Sequence, residues 1–418
     1  MRLISDLHIH SKYSRACSKD LTIANIEKWA KIKGLDLMGT GDFTHPEWIK
    51  ELKLNLTDDE TGILKTETGF PFVLQTEISL IYSQNEKGRR VHNVILAPNL
   101  DVVDQITEYL KKHGRVDYDG RPIFKIPCDE FVYELRKISK DIEVIPAHIW
   151  TPWFSMFGSK SGFDSVKEAF KDQEQHIHAL ETGLSSDPPM NWRLSQLDKF
   201  NLVSFSDSHS FWPWRLGREA TIFELKKLTY SNLLKTLRTG KGLTGTVEVN
   251  PSYGKYHFDG HRTCNIVMNP KETIKHKNIC PVCKKPLVIG VAYRVEQLAD
   301  RPEGYQKPNA KPFHTLIPIS EILSTMLNKA VTTKTVWQEY NKLMKRFKTE
   351  YNILLNATEE QLKEEINPKI ADIILKNRTG NLTVKPGYDG VYGELEIDDA
   401  KQEEIEPIIP KQRSLKEF

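Results

Sequence analysis

The residues best suited to chemistry stand at Asp6-Leu7-His8-Ile9-His10, directly after the apolar positions Leu3, Ile4 and Leu7. A short buried strand there sends His8 and His10 to the same face as it runs out, because side chains alternate along a strand with a period of two. Two imidazoles so placed can grip one divalent ion, although an isolated pair is equally compatible with a polar loop. Later apolar runs end in the same way. "LDLMGTGD" stops at Asp42 with His45 following, "FVLQTEISL" carries Glu77, and "RRVHNVILAP" carries His92. "EVIPAH" stops at His148, "HALET" carries Glu181, and "LVSFSDSH" delivers Asp207 and His209. Metal-ligating side chains at so many strand ends point to one converging site. Mixed imidazole and carboxylate donors suit Zn, Mn or Fe and argue against a site for Mg alone, which prefers oxygen.

A second set of ligands lies late in the chain, in the order His261-x2-Cys264-x15-Cys280-x2-Cys283. Two pairs, each with a two-residue gap, supply the corners of a tetrahedron in a zinc ribbon. His257 competes with His261 for the fourth position. Such a closed site leaves no place for a substrate, so its expected role is to hold a small core together around one structural Zn.

These ligands need a frame. The 418 residues suit a large α/β unit with appendages, and the net charge of +3 with 28% charged residues describes a nearly balanced protein. That balance neither demands nor excludes nucleic acid, since a basic groove can hide in a neutral total. No apolar run is long enough to cross a bilayer, and the N-terminus leads into a strand instead of a signal peptide, so a cytoplasmic, membrane-free protein is expected. Five cysteines cannot all pair, which fits metal binding better than a disulfide framework.

Residues 1–245 alternate apolar strands with helical patterns, the mark of a mostly parallel sheet or barrel wrapped by helices. Thr22 caps a helix through Ile23, Ile26 and Ala30 that Gly34 ends, and further helices are expected over about 100–112 and 129–139. In such folds the loops after the strand ends build the site. Residues 246–312 hold the ribbon, and 313–393 form a helical region. There Trp337, Tyr340, Met344, Phe347 and Tyr351 follow a helical stripe that reads as core. Lys342, Lys345, Arg346 and Lys348 lie largely off it, facing water or a phosphate backbone. Residues 394–418 read as an acidic, Pro-broken, solvated tail. Its last residues place Gln412, Leu415 and Phe418 in the Q-x-x-aliphatic-x-x-aromatic box by which replication and repair proteins dock on sliding clamps. The absence of a long heptad pattern fits a monomer.

The set "DLHIHS", "GTGDFTH", "QTEISL", "VHNVILAP", "PAHIW" and "SDSH" resembles the polymerase and histidinol phosphatase (PHP) superfamily over about 245 residues. The resemblance implies a distorted seven-stranded β/α barrel holding two or three divalent metals. By motif, His8, His10, Glu77 and Asp207 match the ligands of a first ion, and Glu77 bridges to a second ion held by His92 and His148. His209 matches a third-metal ligand, and His45 is a further candidate. The chain departs from the pattern at Ser14-Arg15-Ala16 and in the stretched Asp42-Phe43-Thr44-His45, where Asp42 is expected to orient a histidine. Two cations lower the pKa of water from about 15.7 toward about 7 and neutralise the oxygens of a displacement at phosphorus. Phosphoester hydrolysis is the natural reaction, with Asp207, Glu77 and His148 as the catalytic residues and Mg as a further activator.

Nearly the full length, including "YSRACSKDL", "SDSHSFWPWRLGREAT", the ribbon with its flanking "GKYHFDGHR", and "YRVEQLADRPEG", resembles the endonuclease Q family of DNA repair nucleases. This implies metal-dependent cutting on the 5′ side of hypoxanthine, uracil, xanthine or an abasic site after base flipping. Aromatic residues at Trp150, Trp153, Phe154, Phe211, Trp212 and Trp214 are candidates to stack beside a flipped base, with ordinary loop packing the expectation for any single one, and Arg193, Arg215 and Arg218 are candidates to grip phosphate. Two rivals have the same motifs: a PHP phosphatase acting on a small phosphomonoester, and a non-catalytic DNA- or clamp-binding scaffold.

Overall fold

A computed structural model describes residues 1–396 of the protein. Its centre is an eleven-stranded mixed sheet. From one edge the main path runs Phe313–Thr315, Leu243–Glu248, Ala220–Glu224, Arg2–Asp6, Leu37–Gly39 and Pro71–Gln84. Lys87–Ala97 then pairs with Pro71–Gln84, and Glu143–Pro146 with Lys87–Ala97. Ala179–Glu181 and Asn201–Val203 form a separate parallel pair. An isolated bridge from Ile9 to Ser208 lays the segment after Asn201–Val203 alongside the end of the first strand.

The sheet is less parallel than the alternating pattern predicts. Pro71–Gln84 and Lys87–Ala97 form one long antiparallel hairpin, in register from Leu74 opposite Ala97 to Gln84 opposite Lys87. Asn85 and Glu86 make its turn at φ 53° and 61°, and a two-residue loop with both φ positive matches the twist of antiparallel strands. The first strand instead pairs in parallel with Leu37–Gly39 and antiparallel with Ala220–Glu224.

One buried cluster joins Leu3, Leu37, Val73, Val94, Ile145, Ala179 and Val203, each from a different strand. Around it the helices pack a larger core. Thr22 accepts a bond from the Asn25 N–H at the start of Ile23–Lys33, and Gly34 ends that helix at φ 94°. A Cβ on Gly34 would also approach Thr349 to 3.0 Å, so the position needs glycine twice over. Leu100–Lys111 and Cys128–Ile138 are the other two expected helices.

Leu243–Glu248 runs through the expected division between residues 245 and 246, and Phe313–Thr315 pairs with it in parallel, so the chain returns to the central sheet after residues 249–312. Beyond it come Ile319–Met326, Lys334–Phe347, Glu350–Leu355, Glu359–Glu365 and Pro368–Arg378. Tyr340, Phe347 and Tyr351 are buried with Val336 and Leu343, as a core stripe requires. The stripe is not one helix: Lys348, at φ 72°, breaks it, and Tyr351 belongs to the next. Lys345, Arg346 and Lys348 are exposed.

The acidic tail also starts differently from its expectation. Glu394–Glu396 is a strand paired with Thr383–Lys385. Gln412, Leu415 and Phe418 lie outside the described residues. Among the described residues no helix is long and apolar enough to cross a membrane.

Candidate functional site

The strand ends converge. His8 and His10, both fully buried, follow the first strand; Glu77 lies within Pro71–Gln84; His92 sits across the hairpin. His148 follows Glu143–Pro146, and Asp207 follows Asn201–Val203. Two donor groups result, His8–His10–Glu77–Asp207 and Glu77–His92–His148, and within each the ligand atoms lie no more than 4.8 Å apart. Glu77 belongs to both. Its Oε1 is 2.8 Å from His92 Nδ1, 3.1 Å from His148 Nε2 and 3.7 Å from His8 Nε2. Its Oε2 is 3.3 Å from His10 Nε2, and Asp207 Oδ1 is 3.0 Å from the same nitrogen. His8 Nε2 is buried without a hydrogen-bond partner among the described residues. A buried, unpartnered nitrogen facing two carboxylates fits a cation.

The far nitrogens of the His-x-His pair are held by carboxylates. His8 Nδ1 lies 2.9 Å from Glu181 Oε2, which also accepts the His148 backbone N–H at 3.1 Å. His10 Nδ1 lies 3.0 Å from Asp42 Oδ1, while Asp42 Oδ2 accepts the Ser11 N–H at 2.6 Å. Each carboxylate thereby fixes an imidazole so that Nε2 faces the donor group. Asp42 has the orienting role expected of it. A Cβ on Gly120 would come within 2.2 Å of Asp42 Oδ2, so glycine is what lets that loop close over the aspartate.

Asp42, His148 and Asp207 adopt φ of 39°, 30° and 47°. Left-handed backbone at a non-glycine residue persists where its surroundings over-determine it, and such residues gather at functional sites. Burial pushes the Glu77 carboxyl up, but His92, Arg121 and His8 outweigh it and hold the group well below the usual carboxylate range. Asp207 is likewise lowered against burial, by His209, His10 and His8. Burial drives His92 down to about 4 despite the pull of Glu77.

Not every candidate joins. His45 is buried at the N-terminus of Pro46–Asn55 with its ring stacked on Tyr13 at 4.4 Å, and it belongs to neither donor group. The ligand expected at His45 thus stands outside both donor groups, its ring turned onto Tyr13. His209 lies beside the first group without joining it; its ring is 4.5 Å from that of His10 and its Nδ1 is 2.9 Å from the Asp207 carbonyl. Trp150 is corrected from rim to core, fully buried with Nε1 donating to Asn191 at 2.8 Å. Phe154, half-buried, is the aromatic residue against the site, 4.8 Å from the His92 ring. Arg193 pairs with Glu296 at 2.6 Å.

Arg121 escaped the sequence reading. Its Nη1 donates to Glu77 Oε2 at 3.1 Å, with a quarter of the side chain exposed. "DYDGRP" reads as an ordinary turn, and nothing local marks its arginine. Glu181 was visible as a strand-end carboxylate, but its orienting role was not.

Late in the chain, His261, Cys264, Cys280 and Cys283 bring four ligand atoms within 4.8 Å of one another. His257 stands apart, its Nδ1 buried without a hydrogen-bond partner among the described residues and its ring stacked on Phe258. Of the two candidates for the fourth position, His261 is the one that lies with the three cysteines. All five cysteines are free thiols.

A family described as the MJ0043 C-terminal domain matches residues 318–381. The chain is 31% identical to the lesion-specific endonuclease PfuEndoQ from Pyrococcus furiosus, whose crystal structure superposes with a TM-score of 0.86 over 96% of each chain. It is also 31% identical to endonuclease Q solved with a 27-mer duplex substrate carrying an abasic lesion at the active site, with a TM-score of 0.85 over 97% of this chain and 100% of that one. The uncharacterized protein MJ0043 of Methanocaldococcus jannaschii is 29% identical over 314 residues. That match covers 73% of this chain but 38% of the relative, so the chain spans well under half of that relative's length.

Proposed function

The chain belongs to the endonuclease Q family, and on that premise we propose that it is a metal-dependent DNA repair endonuclease. It hydrolyses the phosphodiester 5′ of hypoxanthine, uracil, xanthine or an abasic site, leaving 3′-hydroxyl and 5′-phosphate ends. The observation that carries this reading is Glu77 shared between two buried donor groups. His8, His10, Glu77 and Asp207 would hold one divalent cation, and Glu77, His92 and His148 a second, with Zn, Mn or Fe favoured by the donors. The chemistry supplied by such a pair is the acidification of water and the neutralisation of charge on a phosphodiester. His209 is the remaining candidate for a third site. His261, Cys264, Cys280 and Cys283 would hold a structural zinc.

The chain's own residues do the rest. Glu181 and Asp42 lock His8 and His10 in the tautomer that presents Nε2. Arg121 keeps a positive charge beside Glu77 with part of its guanidinium open to solvent, where it would meet a non-bridging phosphate oxygen. Phe154 is the stacking candidate beside a flipped nucleotide. Deamination exchanges an exocyclic donor for an acceptor, so a backbone N–H in the base pocket accepts the lesion and rejects its parent.

We read Arg2–Asp6, Leu37–Gly39, Pro71–Gln84, Lys87–Ala97, Glu143–Pro146, Ala179–Glu181 and Asn201–Val203 as the seven strands of a distorted barrel. Their shared inner cluster and the Ile9–Ser208 bridge support it. The Gln412, Leu415 and Phe418 box is proposed to dock on a sliding clamp, and the protein to act as a cytoplasmic monomer.

The test is an end-labelled duplex carrying one deoxyinosine, deoxyuridine or abasic site, incubated with Mn or Mg. A single metal-dependent nick on the 5′ side is expected. Release of inorganic phosphate from small monoesters without nicking would favour the phosphatase reading, and lesion binding without either activity the scaffold.

A further inference from the structure

Something must hold Asp207 in its left-handed turn, and the contacts lead away from the donor groups toward the C-terminal helices. Ser206 donates its N–H to Asp6 Oδ1 at 3.0 Å and its hydroxyl to Asp6 Oδ2. Asp6, fully buried, also accepts the Gly217 N–H at 2.9 Å. The Gly217 carbonyl in turn accepts the hydroxyl of Tyr351, from the helix Glu350–Leu355. A continuous set of hydrogen bonds thus runs from that helix to the residue beside Asp207.

A second tie grips the middle of the same loop. Lys33 Nζ donates to the Pro213 carbonyl at 2.7 Å and to Glu350 Oε1 at 2.8 Å, with both side chains at most 1% exposed. Glu350 is saturated further by the Ile319 N–H at 3.1 Å and the Tyr340 hydroxyl at 2.7 Å. Trp337 closes the contact, its ring 5.5 Å from Trp212 and 5.8 Å from Trp214. Gly217 sits at φ 60°, and a Cβ there would come within 2.7 Å of Leu35, so the loop has little room to move. Helices that served only as a surface for DNA would not need a buried lysine–glutamate pair and a buried tyrosine hydroxyl aimed at the backbone of residues 213 and 217.

We propose that the C-terminal helical region sets the geometry of the metal site, with Tyr351, Lys33 and Glu350 as positioning residues that aim Asp207 at His8 and His10. The proposal rests on the reading that Asp207 belongs to a cation-holding group. Tyr351→Phe removes one oxygen and keeps the ring. In the full-length protein it should weaken Mn binding, measured by calorimetry without DNA, by about threefold or more, approaching the tenfold scale on which groups bonded directly to a ligand act. The kcat for nicking should fall by a similar factor with KM for the lesion duplex unchanged. The double variant Lys33→Met/Glu350→Gln removes both buried charges together and should act in the same direction; it decides the matter if Tyr351→Phe does not fold. Asn377 ties the same helical region to Ile317 through two bonds of 2.9 and 3.0 Å, and Asn377→Ala should lower the Tm without moving Mn affinity or kcat. A lowered Tm with wild-type Mn affinity and kcat in Tyr351→Phe would overturn the proposal, reducing the contact to a structural one. If the wild-type protein nicks no lesion duplex, the function assigned above fails while the calorimetric arm still decides this inference.

Discussion

Glu77→Gln is the substitution that both donor groups must feel. The glutamate meets His8, His92 and His148 through Oε1, and His10 and Arg121 through Oε2. Glutamine keeps the length and volume but removes the charge and turns one of the two acceptors into a donor. Removing one partner from a buried charged set costs about 3–5 kcal/mol because the others are left uncompensated. At about 1.4 kcal/mol per tenfold, cation retention should weaken by roughly two to three and a half orders of magnitude. Glu77 has no exposed surface and is out of reach of DNA, so the Kd for a lesion duplex should stay within about threefold, the scale of an ordinary substitution away from a contact. Metal content after dialysis, anisotropy with labelled duplex, and single-turnover nicking together separate these effects. A variant that keeps the wild-type complement of metals and nicks within about tenfold of wild type would show that Glu77 is not the shared ligand, since outer contacts alone act on that scale.

Asp207→Asn should abolish nicking while leaving duplex affinity intact, and retained cutting would remove its assigned role. Cys280→Ser takes one donor from the His261–Cys283 group and should abolish the zinc binding proposed there, read by metal analysis, with metal uptake by the histidine-rich groups unchanged. Burial, with Asp187 nearby, raises the carboxyl of Glu248 to about 8, so the folded protein holds a proton there that an unfolded chain releases near pH 4.5. The destabilisation is absent below that unfolded value, grows as pH rises, and is complete above about pH 8. Glu248→Gln should therefore match wild type in Tm near pH 5 and exceed it at pH 8; parallel Tm–pH curves would contradict this protonation.

What the chain states locally, it states well. Thr22 and Gly34 bound their helix because capping is decided within a single turn, and His261 with Cys264 and Cys280 with Cys283 are legible as pairs because each gap spans only two residues. His8, His10, His148 and Asp207 are legible as candidate donors because each follows a short apolar run, which is a local signal. The orientation of Pro71–Gln84 against Lys87–Ala97 depended on the backbone of Asn85 and Glu86, a turn without the usual glycine, so the mixed sheet was hidden. Which donors come together in one group, why His45 turns onto Tyr13, and how Arg121 reaches Glu77 are consequences of packing between segments far apart in sequence. The same holds for Lys33, which looks like any exposed helical lysine until Glu350, more than three hundred residues later, is folded against it. Periodicity, caps and ligand gaps act over a few residues and are legible in order along the chain; charge pairing and coordination act through space, and only the tertiary structure decides which residues meet.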